Sequence, residues 1–537
     1  MLGRCFAHSI QRSRSILGWG QVRFLQVNYK TRINFPGHGR NQVLCGDKHI
    51  VTNLTRMTSS EPKSEISQLS EVVAKLLSMQ GRTVGGLKDK QVVSSITQDN
   101  AANQFCRLYS ALDTDHRRQF LTQLAVDYEV DSENIRKVAM KIVDGGVTST
   151  EAAKVHQEMQ RSLTPPQNLV FTKIGQLQGG VKFLVDLRKD IIQTLKYVDA
   201  PSSQFAALKL MNTNLQSLLS YWFSMGFMSI EQVTWDSPCA LLQKVSDYEA
   251  VHPVKNWTDL KTRVGPYRRC FVYTHPSMPG EPVVILHVAL TDTIASSITS
   301  LVRDHRSVRG FDRDQTWTGF GDIAEDPDLC RAAIFYSVTS TQVGLQGIEL
   351  GTHLIKQAVL SLKKEFPHLN TFSTLSPIPG YRAWLSMELA KATRGDSTPL
   401  TPTEVTNLKN VLGETENVYD KLVEVIKTSS WVGNSNIEPV IRPLLTRLCA
   451  RYLYTEKRRN NALNSVANFH LRNGSCLWRI NWLADPSPRG MTNSCGLMVN
   501  YRYYLDRLED NSNNYLNNFI VDADNQVIEL LDNQSKL

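Results

Sequence analysis

Through the first half of the chain, apolar positions recur three and four residues apart, the spacing that lays one face of a helix against a core. Ile66, Leu69, Val72, Val73 and Leu76 make one stripe, and Phe120, Leu121, Leu124, Ala125 and Tyr128 the next. Ile135, Val138, Ala139, Ile142 and Val143 form a third, followed by Gly145-Gly146, where a left-handed helix cap is expected. A helix opening at Thr150 is stopped by Thr164-Pro165-Pro166, and two long helices are predicted over 181–197 and 205–223. In the second, Phe205, Leu208, Leu215, Leu218, Leu219 and Trp222 share a face. From Ser64 to about Met228 the pattern therefore predicts a helical bundle, assigned to packing and subunit contact rather than chemistry.

Beyond Trp235-Asp236-Ser237-Pro238 the texture changes. Residues 270–274 and 283–290 are β-branched and aromatic, two strands joined by the turn-forming segment 276–282. A polar stretch, 304–328, precedes an apolar run over 332–338, a third strand. It leads into a loop carrying Gly344, Gly347 and Gly351, then a helix on which Leu350, Leu354, Ile355, Ala358 and Leu362 align. A short strand, 371–375, stops at Ser376-Pro377-Ile378-Pro379-Gly380. The chain turns helical again from Thr401-Pro402-Thr403-Glu404, with a break expected at Arg442-Pro443. Two runs, 465–472 and 475–482, flank Asn473-Gly474, the dipeptide of a tight hairpin. Strand alternation would put Phe469 and Leu471 on one face and His470 with Arg472 on the other.

Three places carry candidate chemistry. A glycine-rich loop opening a helix leaves backbone N–H groups unpaired at the positive end of the helix dipole, a place to hold a phosphate. Gln346-Gly347-Ile348-Glu349-Leu350-Gly351 resembles the Gln/Arg-x-x-Gly-x-Gly/Ala loop with which acyl-CoA N-acyltransferase folds cradle the coenzyme A pyrophosphate, except that Glu349 replaces the middle glycine and argues against simple acetyl transfer. Ser376 follows a strand on a backbone stiffened by two prolines, and no GxSxG elbow supports an α/β-hydrolase. Among the twelve histidines His470 is the best placed, on a predicted strand with Tyr501-Arg502-Tyr503-Tyr504 to follow. His353 and His368 fall on exposed or terminal positions of the loop–helix unit. Spacing alone leads to coenzyme A thioester binding and leaves the reaction open.

Composition changes this picture in a few respects. At 537 residues the chain is long enough for two to four domains. The net charge of +9 suggests nucleic acid until it is located: residues 1–46 hold seven basic residues and no acid, and without them +2 remains. An arginine-rich, acid-free leader has the composition of a mitochondrial presequence. Ser535-Lys536-Leu537 reads as a peroxisomal address, and a product started at Met57 would lose the first signal and keep the second. No run of 18 apolar residues predicts a membrane span. Nine cysteines without a CxxC pair or a Cys/His cluster predict no structural zinc site.

LQGIELGTHLIK, HLNTFSTLSPIPGY, VANFHLRNG, LWRINWLADPSPRGMTNSCGLMVNYRYYL and the final SKL closely resemble the malonyl-CoA decarboxylase family, from about Ser237 onward and less tightly before. The resemblance implies an α+β fold: a leader over 1–60, a helical oligomerisation domain over 61–225, and an acyl-CoA N-acyltransferase-like mixed domain over 226–537. It implies loss of CO2 from malonyl-CoA to give acetyl-CoA, with no metal, biotin or acyl carrier, and hence control of fatty acid oxidation and synthesis. Ser376 and His470 match the family's catalytic pair, Gln346 to Thr352 (Gln346, Gly347, Ile348, Glu349, Leu350, Gly351, Thr352) match its malonyl-CoA-binding segment, and Glu349 and Tyr503 look like supporting catalytic residues. It further implies a homotetramer, a peroxisomal import receptor reading the last three residues, and a mitochondrial, peroxisomal or cytoplasmic location, with no nucleic acid as partner. The stretch 307–328 looks like an insertion. A coenzyme A-dependent N-acyltransferase or a non-catalytic acyl-CoA sensor are the alternatives.

Overall fold

The computed structural model describes residues 64–79, 94–143, 149–224, 227–302, 325–348, 350–413 and 417–532, all within one compact unit, Pro62–Leu537. The leader, most of the insertion, Glu349 and Ser535-Lys536-Leu537 lie outside the described residues. The first half is helical: α1 (Glu65–Met79), α2 (Ser95–Ala111), α3 (Thr114–Asp127), α4 (Ser132–Val143), α5 (Ser149–Leu163), α6 (Pro166–Gly175), α7 (Gly180–Thr194) and α8 (Ser203–Trp222). Ser94, Asp113 and Ser202 cap α2, α3 and α8 by accepting backbone N–H bonds. All five residues of the first stripe, and Phe120, Leu121, Leu124 and Ala125 of the second, are buried in one core. The α4 stripe behaves differently. Only Val138 is buried, and Ile142 and Val143 are exposed; among the described residues α4 packs chiefly on α5. Periodicity marks an apolar face; it does not say what covers it.

The second half is a mixed sheet wrapped by helices. Its elements are β1 (Ser229–Val233), α9 (Cys239–Tyr248), α10 (Trp257–Arg263), β2 (Arg268–Thr274), β3 (Val284–Thr291), α11 (Ile298–Val302), β4 (Ala332–Ser340), α12 (Gly351–Glu365), β5 (Thr371–Thr374) and β6 (Ser376–Pro377). There follow α13 (Tyr381–Thr393), α14 (Pro402–Leu412), α15 (Val418–Thr428), α16 (Glu438–Tyr454), β7 (Lys457–Arg458), β8 (Asn461–Ala462), α17 (Ser465–Arg472), β9 (Cys476–Asn481), α18 (Pro488–Ser494), β10 (Met498–Tyr503), α19 (Leu508–Asn518) and α20 (Asn525–Asp532). The strands run β1-β2-β3-β4-β5-β10-β6, with β9 beside β10. The edge strand β1 escapes the apolar pattern because only Val233 is buried; its ladder with β2 holds it.

The expected α+β fold class is the one observed, and its decisive feature is the β4–β5 pair. These strands are parallel, as a crossover through α12 requires, whereas the other ladders are antiparallel. Pairing runs only from Ala332↔Thr371 to Phe335↔Thr374. Past that point β4 continues along β3 to Ser340, while the other chain turns away and Ser376 pairs with Val499 of β10. The ladder opens there, the splay expected of an acyl-CoA N-acyltransferase-like sheet.

Two sequence expectations fail in the second half. The break at Pro443 does not occur: α16 runs through it, with Ile441, Leu444, Leu445 and Leu448 buried on both sides. An internal proline costs about 3 kcal/mol, and burying several leucine-sized side chains at roughly 1.5–3 kcal/mol each outweighs it. The predicted hairpin strand over 465–472 is α17. Asn464 caps it by accepting the Ala467 N–H, and Asn473-Gly474 ends it, with Gly474 at φ 78°. Asn-Gly also serves as a left-handed helix terminus, and here it does so. A Cβ at Gly474 would lie 2.0 Å from the Leu508 carbonyl oxygen, so only glycine fits. In helical spacing Ala467, His470 and Leu471 share the buried face, which overturns the alternation that separated Leu471 from His470.

Candidate active site

The splay and α17 together place the first two predicted residues. Ser376 sits where the chain leaves β5 for β10, and His470 points out of the last turn of α17. Ser376 Oγ lies 3.1 Å from His470 Nε2, although 94 positions separate them. One side chain ties the two segments together. Asn464 accepts the Ala467 N–H through Oδ1 and donates through Nδ2 to the Pro379 carbonyl at 2.8 Å, tying the start of α17 to the turn that follows Ser376. Tyr452 donates to the same carbonyl at 3.1 Å.

Both side chains are withdrawn from solvent, Ser376 at 5% exposure and His470 at 4%. The imidazole stacks on Tyr501, ring centroids 4.6 Å apart, and meets Phe469 edge-on. Its Nδ1 is 2.7 Å from the Tyr503 hydroxyl, which places Tyr503 beside the pair. Ser376 donates to Thr374 Oγ1 at 2.9 Å, and Thr374 Oγ1 also accepts the Tyr501 N–H at 3.1 Å. Satisfying every buried group then assigns the directions: Tyr503 O–H donates to Nδ1, and Nε2–H donates to Ser376 Oγ. Burial pushes His470 down to about 3 and Tyr503 well above the ordinary tyrosine value. At neutral pH the cluster is uncharged, a run of hydroxyls and one neutral imidazole in a low-dielectric setting. Such a run can relay a proton without holding a charge at rest.

A cavity of about 440 Å³ reaches this cluster at Tyr503. Ile355 and Val359 of α12 form one wall, and Leu505 and Leu508 another, with Lys356, Asp506, Glu509 and Asp510 also lining it. A larger cavity, about 520 Å³, is lined by His252, Arg263, Asp485 and Arg489 among others, and by none of the predicted residues.

The predicted phosphate loop leads from β4 into α12. Val343–Leu345 form one 3-10 turn, Gly347 takes φ 80°, and Leu350 is the N-cap position of α12. Gln346 and Gly347 are exposed, Ile348 is half-buried and Leu350 is buried. Gly351 and Thr352 form the first turn of α12; Glu349 lies outside the described residues. His368 is exposed and bonds the Pro327 carbonyl at 2.8 Å, away from the cluster.

Three groups escaped the sequence reading. Thr374 lies within HLNTFSTLSPIPGY but nothing there singles it out, and Asn464 carries no motif, although an Asn ahead of a helix is a cap signal that would have corrected the assignment of 465–472. Arg188 of α7, 2% exposed, donates to the Gly344 and Gln346 carbonyls at 2.6 and 2.9 Å, so the helical half touches the loop directly. Nothing in its sequence surroundings marks it. Among the described residues no cluster of three metal-ligating side chains occurs, and no helix is long and apolar enough to cross a membrane.

With this geometry in place the comparisons with known proteins are direct. The family model of the malonyl-CoA decarboxylase C-terminal domain matches residues 226–537, and that of the N-terminal domain matches residues 128–223. Over 436 residues the chain is 43% identical to the mitochondrial malonyl-CoA decarboxylase of Anser anser anser, covering 80% of this chain and 82% of that one. Over 435 residues it is 43% identical to the mitochondrial malonyl-CoA decarboxylase of Rattus norvegicus, covering 80% and 84%. The crystal structure of malonyl-CoA decarboxylase from Rhodopseudomonas palustris superposes with a TM-score of 0.70 at 28% identity, over 87% of this chain and all of that one. Two domain models in order and relatives matched over most of their length show that the chain belongs to the malonyl-CoA decarboxylase family.

Proposed function

We propose that this enzyme removes CO2 from malonyl-CoA to give acetyl-CoA, with Ser376 and His470 as the catalytic pair. The observation that carries the reading is the buried hydrogen-bonded run Tyr503–His470–Ser376 at the opening of the sheet. Breaking the C–C bond leaves its electron pair as an enolate on the thioester, so the site must stabilise a developing oxyanion and then protonate carbon. Ser376 hydrogen-bonds the malonyl group, and His470 Nε2–H is the proton that reaches carbon. Nδ1 takes the Tyr503 proton in exchange, and Tyr503 is reprotonated from the cavity it lines. One proton is consumed and one CO2 leaves, so the sequence balances.

In this reading Gln346 to Thr352 hold the coenzyme A phosphates and Glu349 orients Ser376 or His470. A homotetramer formed through the helical half, and control of malonyl-CoA levels for fatty acid metabolism, belong to the same proposal. A mitochondrial location is supported by the acid-free leader composition and by the names of the relatives. The test is to incubate purified enzyme with malonyl-CoA and no acceptor. Acetyl-CoA and CO2 should appear, and His470→Asn should lower kcat by roughly 10²- to 10⁴-fold. An unchanged kcat in folded His470→Asn refutes the assignment. Binding without turnover would mark a sensor instead.

A further inference from the structure

Arg188 is a buried cation whose acceptors among the described residues are all uncharged. Beyond its two loop carbonyls, Nε bonds Asn212 Oδ1 at 3.1 Å and Nη2 bonds Gln216 Oε1 at 3.1 Å. Gln216 in turn donates through Nε2 to the Gly347 carbonyl at 3.0 Å. Among the described residues no carboxylate lies within ion-pair distance of the guanidinium. Burial lowers its affinity for its proton, to about 10, which still leaves it charged at neutral pH. An unpaired charge taken out of water is costly to keep, unless an anion completes the site.

The same contacts dictate which way the loop faces. In a trans peptide the carbonyl and the next N–H point in opposite directions. Drawing the Gln346 carbonyl onto Arg188 therefore turns the Gly347 N–H outward, and that N–H has no acceptor among the described residues. Gln346 and Gly347 are exposed on that outer side. The loop is also pressed flat on α7: a Cβ at Gly344 would stand 1.8 Å from the Val185 carbonyl oxygen.

We propose that Arg188, with Gln216 beside it, is a positioning residue for this enzyme: from inside the helical half it holds the loop carbonyls inward, so that the loop presents the Gly347 N–H and a net positive field to the coenzyme A phosphates. The proposal rests on the reading of this loop as the phosphate site. It gives the helical half a part in substrate binding as well as in assembly.

The experiment compares malonyl-CoA with the malonyl thioester of N-acetylcysteamine, which lacks phosphates, in Arg188→Lys, Gln216→Ala and Gly347→Ala. Lysine keeps the charge but cannot span two carbonyls and two amides. We expect Arg188→Lys to raise KM for malonyl-CoA roughly 10- to 100-fold, with kcat within about 2-fold and KM for the truncated thioester unchanged. Gln216→Ala, a half-buried position, should show the same split at several-fold and keeps the test alive if Arg188→Lys does not fold. Equal losses on both substrates, or a fall in melting temperature alone, would make Arg188 a structural strut and overturn the proposal. If Gly347→Ala raises KM for malonyl-CoA while the other two do not, the loop reading stands and the role of Arg188 falls. If none of the three discriminates between the substrates, the loop reading falls and takes the inference with it.

Discussion

Replacing Tyr503 by Phe removes one oxygen from the cavity end of the proposed relay and little else. Tyr503 is 3% exposed, its ring meets Phe335 edge-on, and its hydroxyl is 2.7 Å from His470 Nδ1. The ring contacts survive in phenylalanine, so the change isolates the hydrogen bond. Without it Nδ1 is a buried acceptor with no donor, which costs about 1–3 kcal/mol. Unfolding entropy of roughly 2 cal/mol/K per residue, over the roughly 420 described residues, comes to about 0.8 kcal/mol/K, so the melting temperature should fall by only about 1–4 °C. The catalytic loss should be out of proportion to this. Once the Nε2 proton has gone to carbon, nothing supplies Nδ1, and kcat should drop by about 10²-fold, within the range of a lost acid–base partner. KM for malonyl-CoA should change little, because Tyr503 acts through His470. The assay is coupled detection of acetyl-CoA under saturating malonyl-CoA, beside calorimetry on the same preparation. A variant with kcat within 2-fold of the parent would show that no proton passes Tyr503, and a kcat loss that merely tracks a large fall in melting temperature would reduce it to packing.

Other consequences can be read from the same contacts. Asn464→Ala deletes the α17 cap and one of two donors to the Pro379 carbonyl; it should cost about 1–2 kcal/mol in denaturant unfolding and lower kcat more than it raises KM, since it loosens the Ser376–His470 distance. An unchanged kcat would show that the distance is set elsewhere. Gly344→Ala forces a methyl into the Val185 carbonyl, so α7 and the loop must separate; both the melting temperature and the affinity for malonyl-CoA should fall, and wild-type binding by calorimetry would contradict the packing described. Acid stability gives a further check. His470 titrates near 3 when folded and near 6.5 when unfolded, so between those values the unfolded chain binds the extra proton and stability falls as pH drops. The full window is worth about 4–5 kcal/mol. Urea midpoints from pH 7 to 4 should fall less steeply in His470→Asn, and parallel curves would mean that His470 is not buried neutral.

Much of this architecture is legible in the residues, and the failures share a cause. The bundle stripes other than that of α4, and the order of the central strands, follow from local periodicity, because each buries one continuous face. The segment 465–472 reads as a strand because eight residues with Val, Phe and His before Asn-Gly fit a hairpin as well as a helix. What decides is Asn464, whose side chain finds Ala467 on one side and Pro379 on the other, a partner 85 positions away. Pro443 is tolerated for the same kind of reason, a buried face on either side of it. Arg188 lies on a helix whose pattern speaks only of packing, and its partners are carbonyls 156 and 158 residues downstream. Backbone acceptors leave no trace in composition, so no reading of residue types would have found them.

The arrangement also explains why Ser376 and His470 come from unrelated elements. A histidine on β5 or β10 would have its orientation fixed by the pleat, pointing into one face of a packed sheet. At the splay there is no continuous ladder to carry a side chain across the opening, since β4 and β5 part after Phe335 and Thr374. A helix terminus can reach that opening from the side, and α17 does so with its capping residue fastened to the very turn that carries the serine. The hydroxyl is fixed by Thr374, the imidazole by Tyr501 and Tyr503, and the two halves by Asn464, so the 3.1 Å contact depends on four neighbours, none of which needs to touch substrate. Substitution at those neighbours should therefore weaken the rate while sparing affinity, whereas substitution around Arg188 should do the reverse.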